Sequence, residues 1–265
     1  MKTVFPLGTL RVWPMLVLWI CLSAGSLAGQ PSEAKEVRTS ATLYLWLPSV
    51  SGDLKYDIVG GSGTIDAGDI LNALEMAFMG TVEVRKNRWS LLTDIIYLDL
   101  ADSQSGRVNL PGGGAIETSI DMNLSGWQLG FYGGYNLYQT ERASLDLMAG
   151  ARHLSLDTNA TLGISGPLPP ELPSARLSRS ANLWDAVVGL RGRLELGPNW
   201  FVPYHADIGT GDSEVTWQAM TGIGYKAGWG DVMLVYRHLE WDQGGDKLIQ
   251  GLSFSGPGVA LKYRF

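Results

Sequence analysis

The sequence predicts an all-β fold, a single antiparallel transmembrane β-barrel of about ten strands, with eight or twelve strands as alternatives. Three observations predict it. The chain ends on an alternating strand with an aromatic last residue, ten segments alternate with the same period of two, and tryptophan and tyrosine recur eight residues apart on one face. A period of two places apolar and polar side chains on opposite faces of a strand, as a barrel wall between lipid and lumen requires.

The last strand provides the first of these signals. Its apolar residues alternate with small or polar ones, in the order Pro257, Gly258, Val259, Ala260, Leu261, Lys262, Tyr263, Arg264 and Phe265. This pattern resembles the terminal signal by which the barrel-assembly machinery recognises bacterial outer-membrane barrels. The resemblance implies that machinery as a partner, bound through Val259, Leu261, Tyr263 and Phe265.

The amino terminus predicts export. Lys2 and Arg11 make a positive start, an apolar run over 12–22 follows, and Ser26-Leu27-Ala28 ends it with small residues at its first and last positions, which is the pattern of a cleaved secretory signal peptide. The run is shorter than the roughly 20 residues that a membrane-spanning helix needs. We therefore divide the chain into three parts, a signal peptide over 1–28, a periplasmic lead-in over 29–38 and an outer-membrane β-barrel over 39–265.

The composition excludes several classes of function. A formal net charge of −6, with no basic stripe, argues against a nucleic-acid partner. The single cysteine, Cys21, lies in the predicted signal peptide, so we expect no disulfide or thiol chemistry after export. The 34 glycines, 10 tryptophans and 10 tyrosines suit curved strands and membrane interfaces. We therefore expect the cell outer membrane as the location, with outer-membrane lipid and lipopolysaccharide as surroundings.

Ten alternating segments follow the lead-in. They span 39–50, 75–85, 89–101, 119–138, 143–157, 181–195, 200–210, 214–226, 231–242 and 251–265. The connections are short and long in turn, with long loops predicted over 51–74, 102–118, 158–180 and 243–250, and the brief 211–213 as an exception. Short periplasmic turns and longer extracellular loops are typical of outer-membrane barrels with both termini in the periplasm.

The aromatic residues mark the ends of the predicted lipid-facing band. Three pairs lie eight residues apart on one face, Trp89 with Tyr97, Trp127 with Tyr135, and Trp217 with Tyr225. Eight residues at about 3.3 Å each and a tilt near roughly 40° climb roughly 20 Å, close to the height of such a band. The residues predicted at the membrane interfaces are Trp89, Tyr97, Trp127, Tyr135, Trp184, Trp200, Trp217, Tyr225, Tyr263 and Phe265.

Short sequence motifs resemble those of a known group of proteins. They are Leu45-Trp46-Leu47-Pro48, Gly189-Leu190-Arg191-Gly192 after Trp184-Asp185, Trp217-Gln218 leading into Gly222-Ile223-Gly224-Tyr225, and Tyr236-Arg237-His238-Leu239. With these motifs, nearly the whole secreted part resembles uncharacterised proteobacterial outer-membrane β-barrel proteins of the small porin-like or opacity type. The resemblance implies fold and location, and it transfers no catalytic residue.

Charged residues of both signs alternate onto the predicted inward face. They are Glu83, Arg85, Asp94, Asp146, Arg152, Asp185, Arg191, Arg193, Glu195, Arg237, Lys262 and Arg264. The interior of a ten-stranded barrel is narrow, so isolated charges would be costly and pairing is expected. Two interpretations stay open: a polar core that largely plugs the lumen, and a water-filled path with a basic constriction at Arg191, Arg193, Lys262 and Arg264 that favours anions.

His205 and Asp207 are the best catalytic candidates, because they lie two residues apart on one strand and share its inward face. Acid–base groups near the rim would suit a protease or a lipid A-modifying hydrolase, with Asp99 and Asp102 as further carboxylates. No serine stands beside a histidine in a triad arrangement, and sequence cannot bring residues of different strands together. We therefore assign no catalytic residue from the sequence.

No metal site or cofactor is predicted. The three histidines are far apart, and Asp212 with Glu214 in a short loop is typical of a solvated turn. The glycine-rich segment 111–114 lacks the Lys-Ser/Thr that a phosphate-binding loop requires.

Two loop segments have recognisable character. In 51–74 the acidic stretch 66–69 precedes 70–74, which predicts a short helical turn over the barrel mouth, either a lid or a surface packing turn. The proline-rich segment 166–173 is expected to be stiff and exposed, as a partner contact or as a neutral spacer.

The leading functional hypothesis is a non-enzymatic outer-membrane barrel, either structural or a narrow porin-like channel with a charged, largely plugged lumen. A hydrolase at the rim, using His205 and Asp207, is the first alternative. A barrel that binds or adheres through its long loops is the second.

Overall fold

The computed structural model describes residues 37–54, 61–65, 67–109, 115–165, 175–244 and 249–265. The predicted signal peptide and positions 29–36 of the lead-in lie outside the described residues, as do the glycine-rich and proline-rich loop segments.

Antiparallel strands make up nearly all of the described chain. The elements are β1 (Val37–Trp46), β2 (Ser49–Leu54), β3 (Gly61–Ile65), α1 (Ala67–Ala73), β4 (Leu74–Lys86), β5 (Trp89–Asn109), β6 (Ala115–Gln139), β7 (Ala143–Ser165), β8 (Ala175–Glu195), β9 (Trp200–Gly211), β10 (Val215–Ala227), β11 (Gly230–Asp242) and β12 (Ile249–Arg264). Strands β4 to β12 pair in chain order, and β1 pairs with both β4 and β12. The predicted fold is confirmed as a closed antiparallel β-barrel of ten strands, with β2 and β3 as an added hairpin on β12.

The two ends of the barrel differ. One end, here called the turn end, holds the tight connections between β4 and β5, β6 and β7, β8 and β9, and β10 and β11. The β4–β5 turn has only two residues, and Asn87 adopts the left-handed conformation (φ 57°) that asparagine tolerates. The opposite end, here called the loop end, holds β2, β3, α1 and the remaining connections.

Two predicted loops are largely strand, and their predicted bounds were therefore wrong. The β5–β6 ladder continues as far as Asn109 opposite Ala115, and the β7–β8 ladder as far as Leu162 opposite Ala175. Alternation is present there, since Ala160, Leu162 and Ile164 alternate with Asn159, Thr161 and Gly163. These stretches are also rich in Ser, Thr, Asn and Gly, which are typical of loops, and that composition favoured the loop prediction.

A short helix is confirmed near the position predicted, but α1 begins at Ala67, within the acidic stretch 66–69, and not after it. Ile70 on this helix is buried and lines an apolar cavity of about 250 Å³ in the loop-end half of the barrel. Among the described residues no helix is long and apolar enough to cross a membrane.

The barrel interior has an apolar layer as well as a polar one. The apolar layer, in the loop-end half, is a buried cluster of Trp46, Met79, Ile96, Leu154, Leu183, Leu239 and Trp241. The outer wall is also apolar, since the side chains of Leu43, Leu91 and Ile208 point outward and are more than half exposed. Most of the polar groups described next lie between this cluster and the turn end.

Candidate functional site in the barrel lumen

Asp207 is the centre of a buried hydrogen-bond network at mid-height. Its carboxylate accepts hydrogen bonds from Arg152 at 2.5 Å and from Gln218 at 2.5 Å. Nε2 of His205 lies 2.7 Å from its second oxygen. Alternation along β9 places His205 and Asp207 on the inward face together, and the neighbouring position on β8 is Gly189.

Gln218 joins this network to a second ion pair. Its amide nitrogen donates to Asp207, while its carbonyl oxygen accepts from Arg237 at 2.8 Å. Arg237 also donates to Asp94 at 3.1 Å, and Asp94 accepts from the hydroxyl of Tyr44 at 2.7 Å. The guanidinium of each arginine is thus held by a carboxylate and a neutral partner, which is the arrangement that makes a buried charge tolerable.

A separate group of charges lies nearer the turn end, around Glu83. Its carboxylate accepts from Lys262 at 3.0 Å and from Arg85 at 3.0 Å, and Arg191 approaches to 3.4 Å. Arg85 also binds Asp146. These residues line an open cavity of about 510 Å³ at the turn end.

The remaining predicted lumen charges fall outside both groups. Arg193 pairs with Glu195 at 2.6 Å, and Arg264 pairs with Asp231 near the turn end. Asp185 lies at the loop end, where it accepts from the backbone and hydroxyl of Ser213 at 2.8 and 3.0 Å. The charged residues predicted as one lumen cluster therefore form three or more separate groups at different levels between the turn end and the loop end.

His205 and Asp207 lie in the middle of β9 and not at the rim. The side chain of Asp207 has no exposed surface, and that of His205 is 11% exposed. Every carboxylate oxygen of Asp207 is already engaged, so the pair acts as a support for Arg152 and Gln218 in this geometry. The other two histidines, His153 and His238, face outward and stack on Trp184 and Trp217.

The aromatic residues predicted at the membrane interfaces all lie on the outer face, in two rings here called girdles. Trp89 stacks edge-on against Tyr135 at the turn end, with ring centroids 4.8 Å apart. Eight residues along the same strands, Tyr97 contacts Trp127 at 4.5 Å. The two contacts lie eight residues apart because the β5–β6 register places Trp89 opposite Tyr135 and Tyr97 opposite Trp127.

Sequence reasoning missed the neutral members of the network. Gln218, Tyr44 and Thr216 occupy inward positions by alternation, yet only charged residues were selected there. Parity within each strand was the signal that could have found them. Among the described residues no group of three His, Asp or Glu side chains could hold a metal ion.

No family model and no curated protein matches the sequence. Solved outer-membrane barrels are similar in structure. The outer membrane protease OmpT from Escherichia coli matches with a TM-score of 0.50 and 11% identity, over 89% of this chain and 99% of that chain. The translocator domain of the autotransporter NalP from Neisseria meningitidis has a TM-score of 0.39 and 16% identity, over 86% and 88%. Ail, the attachment invasion locus protein of Yersinia pestis, has a TM-score of 0.35 and 12% identity, over 87% and 99%.

At these identities the likeness to OmpT concerns the fold alone. The chain has the fold of an outer-membrane β-barrel protein. Its function has to be argued from its own residues.

Proposed function

We propose that the protein is an outer-membrane β-barrel whose lumen is closed to ions by its own side chains. One observation carries the proposal: a buried apolar cluster lies in the loop-end half of the lumen, between the loop end and a polar network with fully buried charges. A conducting pore needs a continuous hydrated path, and the burial of the apolar side chains Leu239 and Trp241, both 1% exposed, supports a block at their level.

The outer surface supports the membrane location. Its exposed band is apolar between two aromatic girdles, and the strands leave no backbone edge in the closed part of the wall. A closed wall satisfies the backbone in lipid, where unpaired amides are costly. Outer-membrane lipid and lipopolysaccharide would surround this band, and the outward side chains of β12 (Val259, Leu261, Tyr263 and Phe265) would be presented to the assembly machinery.

Among the described residues, the polar cavities support a lumen that is entered from the turn end. The cavity of about 510 Å³ shares Arg191, Arg193 and Lys262 with a smaller cavity of about 180 Å³, which reaches inward to Arg237. Between Arg237 and the loop end, the lining of the lumen becomes apolar. The charged residues at the turn end therefore support a vestibule and not a through channel.

Single-channel conductance in a planar bilayer tests the proposal. Heat-modifiable gel migration and co-flotation with vesicles first establish that the protein is folded and inserted. We expect silence from the inserted protein. Discrete, salt-dependent steps would overturn the closed lumen and support a porin-like channel instead, in which Arg191→Gln should lower the preference for anions while the exposed turn variant Arg142→Gln leaves it unchanged.

A further inference from the structure

The outer face of the barrel holds a serine, a histidine and a glutamate in hydrogen-bonding contact. His238 and Glu240 lie two residues apart on β11, and Ser255 lies opposite His238 on β12. The hydroxyl of Ser255 is 2.5 Å from Nδ1 of His238, and Nε2 of His238 is 3.1 Å from Oε2 of Glu240. We propose that these three residues form the catalytic centre of an esterase that hydrolyses acyl esters of membrane lipids.

The order of contacts suits nucleophilic catalysis. In the tautomer with hydrogen on Nε2, Glu240 accepts that hydrogen and the lone pair of Nδ1 is directed at the hydroxyl of Ser255. A nucleophile, a base within hydrogen-bonding reach and a third group that orients the base are what such catalysis requires. The two ring nitrogens have exchanged places relative to the serine proteases, where Nε2 faces the serine.

The triad is accessible from outside the barrel. The side chains of His238 and Glu240 are 26% and 37% exposed, and Ser255 is partly exposed. The lumen pair of His205 and Asp207 offers no such access, since Asp207 is completely buried. A substrate in the surrounding lipid could therefore reach Ser255 and could not reach Asp207.

The height of the triad indicates the substrate, and this step rests on the proposed membrane location. Trp217, in the loop-end girdle, stacks on His238 with ring centroids 4.4 Å apart and lies opposite Glu240 in the register. Tryptophan girdles sit at the level of lipid headgroups. Towards the middle of the barrel the outer surface is apolar, with Tyr236 and Leu234 more than half exposed. An ester carbonyl would lie at Ser255 while its acyl chain follows these side chains.

A second hydroxyl is placed to stabilise the developing oxyanion. Ser49 of β2 lies opposite Ser255 in the β2–β12 register, on the side away from His238. Paired side chains on adjacent strands share a face, with their Cβ atoms about 5 Å apart. The Ser49 hydroxyl can thus donate to a carbonyl oxygen held over Ser255.

The reaction balances with water as the only co-reactant. Nδ1 of His238 takes the proton of Ser255 as Oγ bonds to the ester carbonyl carbon. The carbon–oxygen bond of the leaving alcohol then breaks, and the alcohol takes the proton from His238, leaving an acyl-serine. Water attacks the acyl-serine, its proton passes through His238 to Oγ of Ser255, and a free fatty acid leaves.

The test uses the full chain, purified in detergent from a host that lacks its own outer-membrane phospholipase. An alkyl fluorophosphonate should label the folded protein on Ser255, as located by peptide mass spectrometry. In vesicles, free fatty acid is measured with glycerophospholipid alone and with added lipopolysaccharide. Release from vesicles of glycerophospholipid alone identifies glycerophospholipid as the substrate. Release that requires added lipopolysaccharide identifies the ester-linked acyl chains of lipopolysaccharide as the substrate.

Ser255→Ala and His238→Gln should each lower fatty acid release by at least about 100-fold. Ser253→Ala is the matched serine control, because Ser253 lies two residues away on the same strand and face, opposite Glu240. His153→Gln is the matched histidine control, because His153 also stacks on a girdle tryptophan, at 4.3 Å, but contacts Asn182. Both controls should stay within about twofold of the unmodified protein.

Failure of the triad can be distinguished from failure of the membrane location. Labelling and cleavage of a short-chain p-nitrophenyl ester are measured in detergent, so they report on the triad even if the protein does not float with vesicles. A folded protein that neither reacts with the fluorophosphonate nor cleaves any of these esters overturns the inference. Full activity of Ser255→Ala, or labelling confined to another serine, overturns it as well.

Discussion

Arg152 and Asp207 form an ion pair at the centre of the barrel, and neither side chain has any exposed surface. The pair connects β7 to β9 across the intervening β8, and Arg152 also donates to Thr216 of β10 at 2.9 Å. These contacts link strands that do not neighbour each other in the sheet. The network therefore connects these strands through the lumen, in addition to the backbone ladders.

Breaking this ion pair should destabilise the barrel strongly. Asp207→Asn leaves the guanidinium of Arg152 buried without a counter-charge, which costs about 3–5 kcal/mol in comparable buried pairs. The free energy of unfolding in urea, followed by heat-modifiable migration in vesicles, measures the loss. Arg142→Gln in the exposed β6–β7 turn is the control and should leave the midpoint unchanged. Equal midpoints for both variants would contradict the bracing role.

Gly189 should tolerate no side chain, because it lies against the backbone that carries Asp207. A Cβ at this position would stand 2.3 Å from the carbonyl oxygen of Ala206 and 2.4 Å from Cβ of Asp207. Gly189→Ala is therefore expected to shift β9 and lower the yield of folded barrel. Gly197→Ala in the β8–β9 turn has nothing within 4 Å and should fold normally. Refolding yields on a semi-native gel compare the two, and normal folding of Gly189→Ala would refute the close approach.

Alternation in the sequence predicted the strands and the inward side of most lumen charges, because the two faces of a barrel strand meet contrasting surroundings. It could not predict which charges meet. Arg85 and Asp146 are 61 residues apart in sequence, and their contact depends on the shape of the closed barrel. Nor did it indicate the contact of Ser255 with His238, which follows from the β11–β12 register and not from spacing within one strand.

Trp241 illustrates a second limit of prediction from sequence, which concerns the polarity of the lumen. Selecting the charged inward residues indicated a polar interior, yet Trp241 and Leu239 also alternate inward and are buried in an apolar layer. A lumen that is apolar in one half and polar in the other has no single sequence signature, because the outer face is apolar as well. Only the packed structure shows which half of the lumen is apolar and which is polar.

Removing the apolar layer should open the lumen. In the double variant Leu239→Ala with Trp241→Ala, two large buried side chains are lost and water can reach the polar network from the loop end. We expect discrete conductance steps in a planar bilayer, where the unmodified protein is silent. Trp229→Ala, which removes an exposed tryptophan from the β10–β11 turn, is the matched control and should remain silent. Silence of the double variant, if it is folded and inserted, would locate the block elsewhere.

The two faces of the wall should differ in their contact with lipid and water, which spin labels can measure. Leu91 points outward between the girdles and is 70% exposed, whereas Ser144 lines the open cavity at the turn end. With the predicted signal peptide removed, neither variant would carry a second cysteine.

A nitroxide on Leu91→Cys should collide often with oxygen, which concentrates in the bilayer, and rarely with a water-soluble nickel chelate. A nitroxide on Ser144→Cys should show the opposite ratio. Equal access of the chelate to both sites would mean that water surrounds the outer wall, and the membrane location would then be wrong, because an apolar band of this height is stable only in lipid.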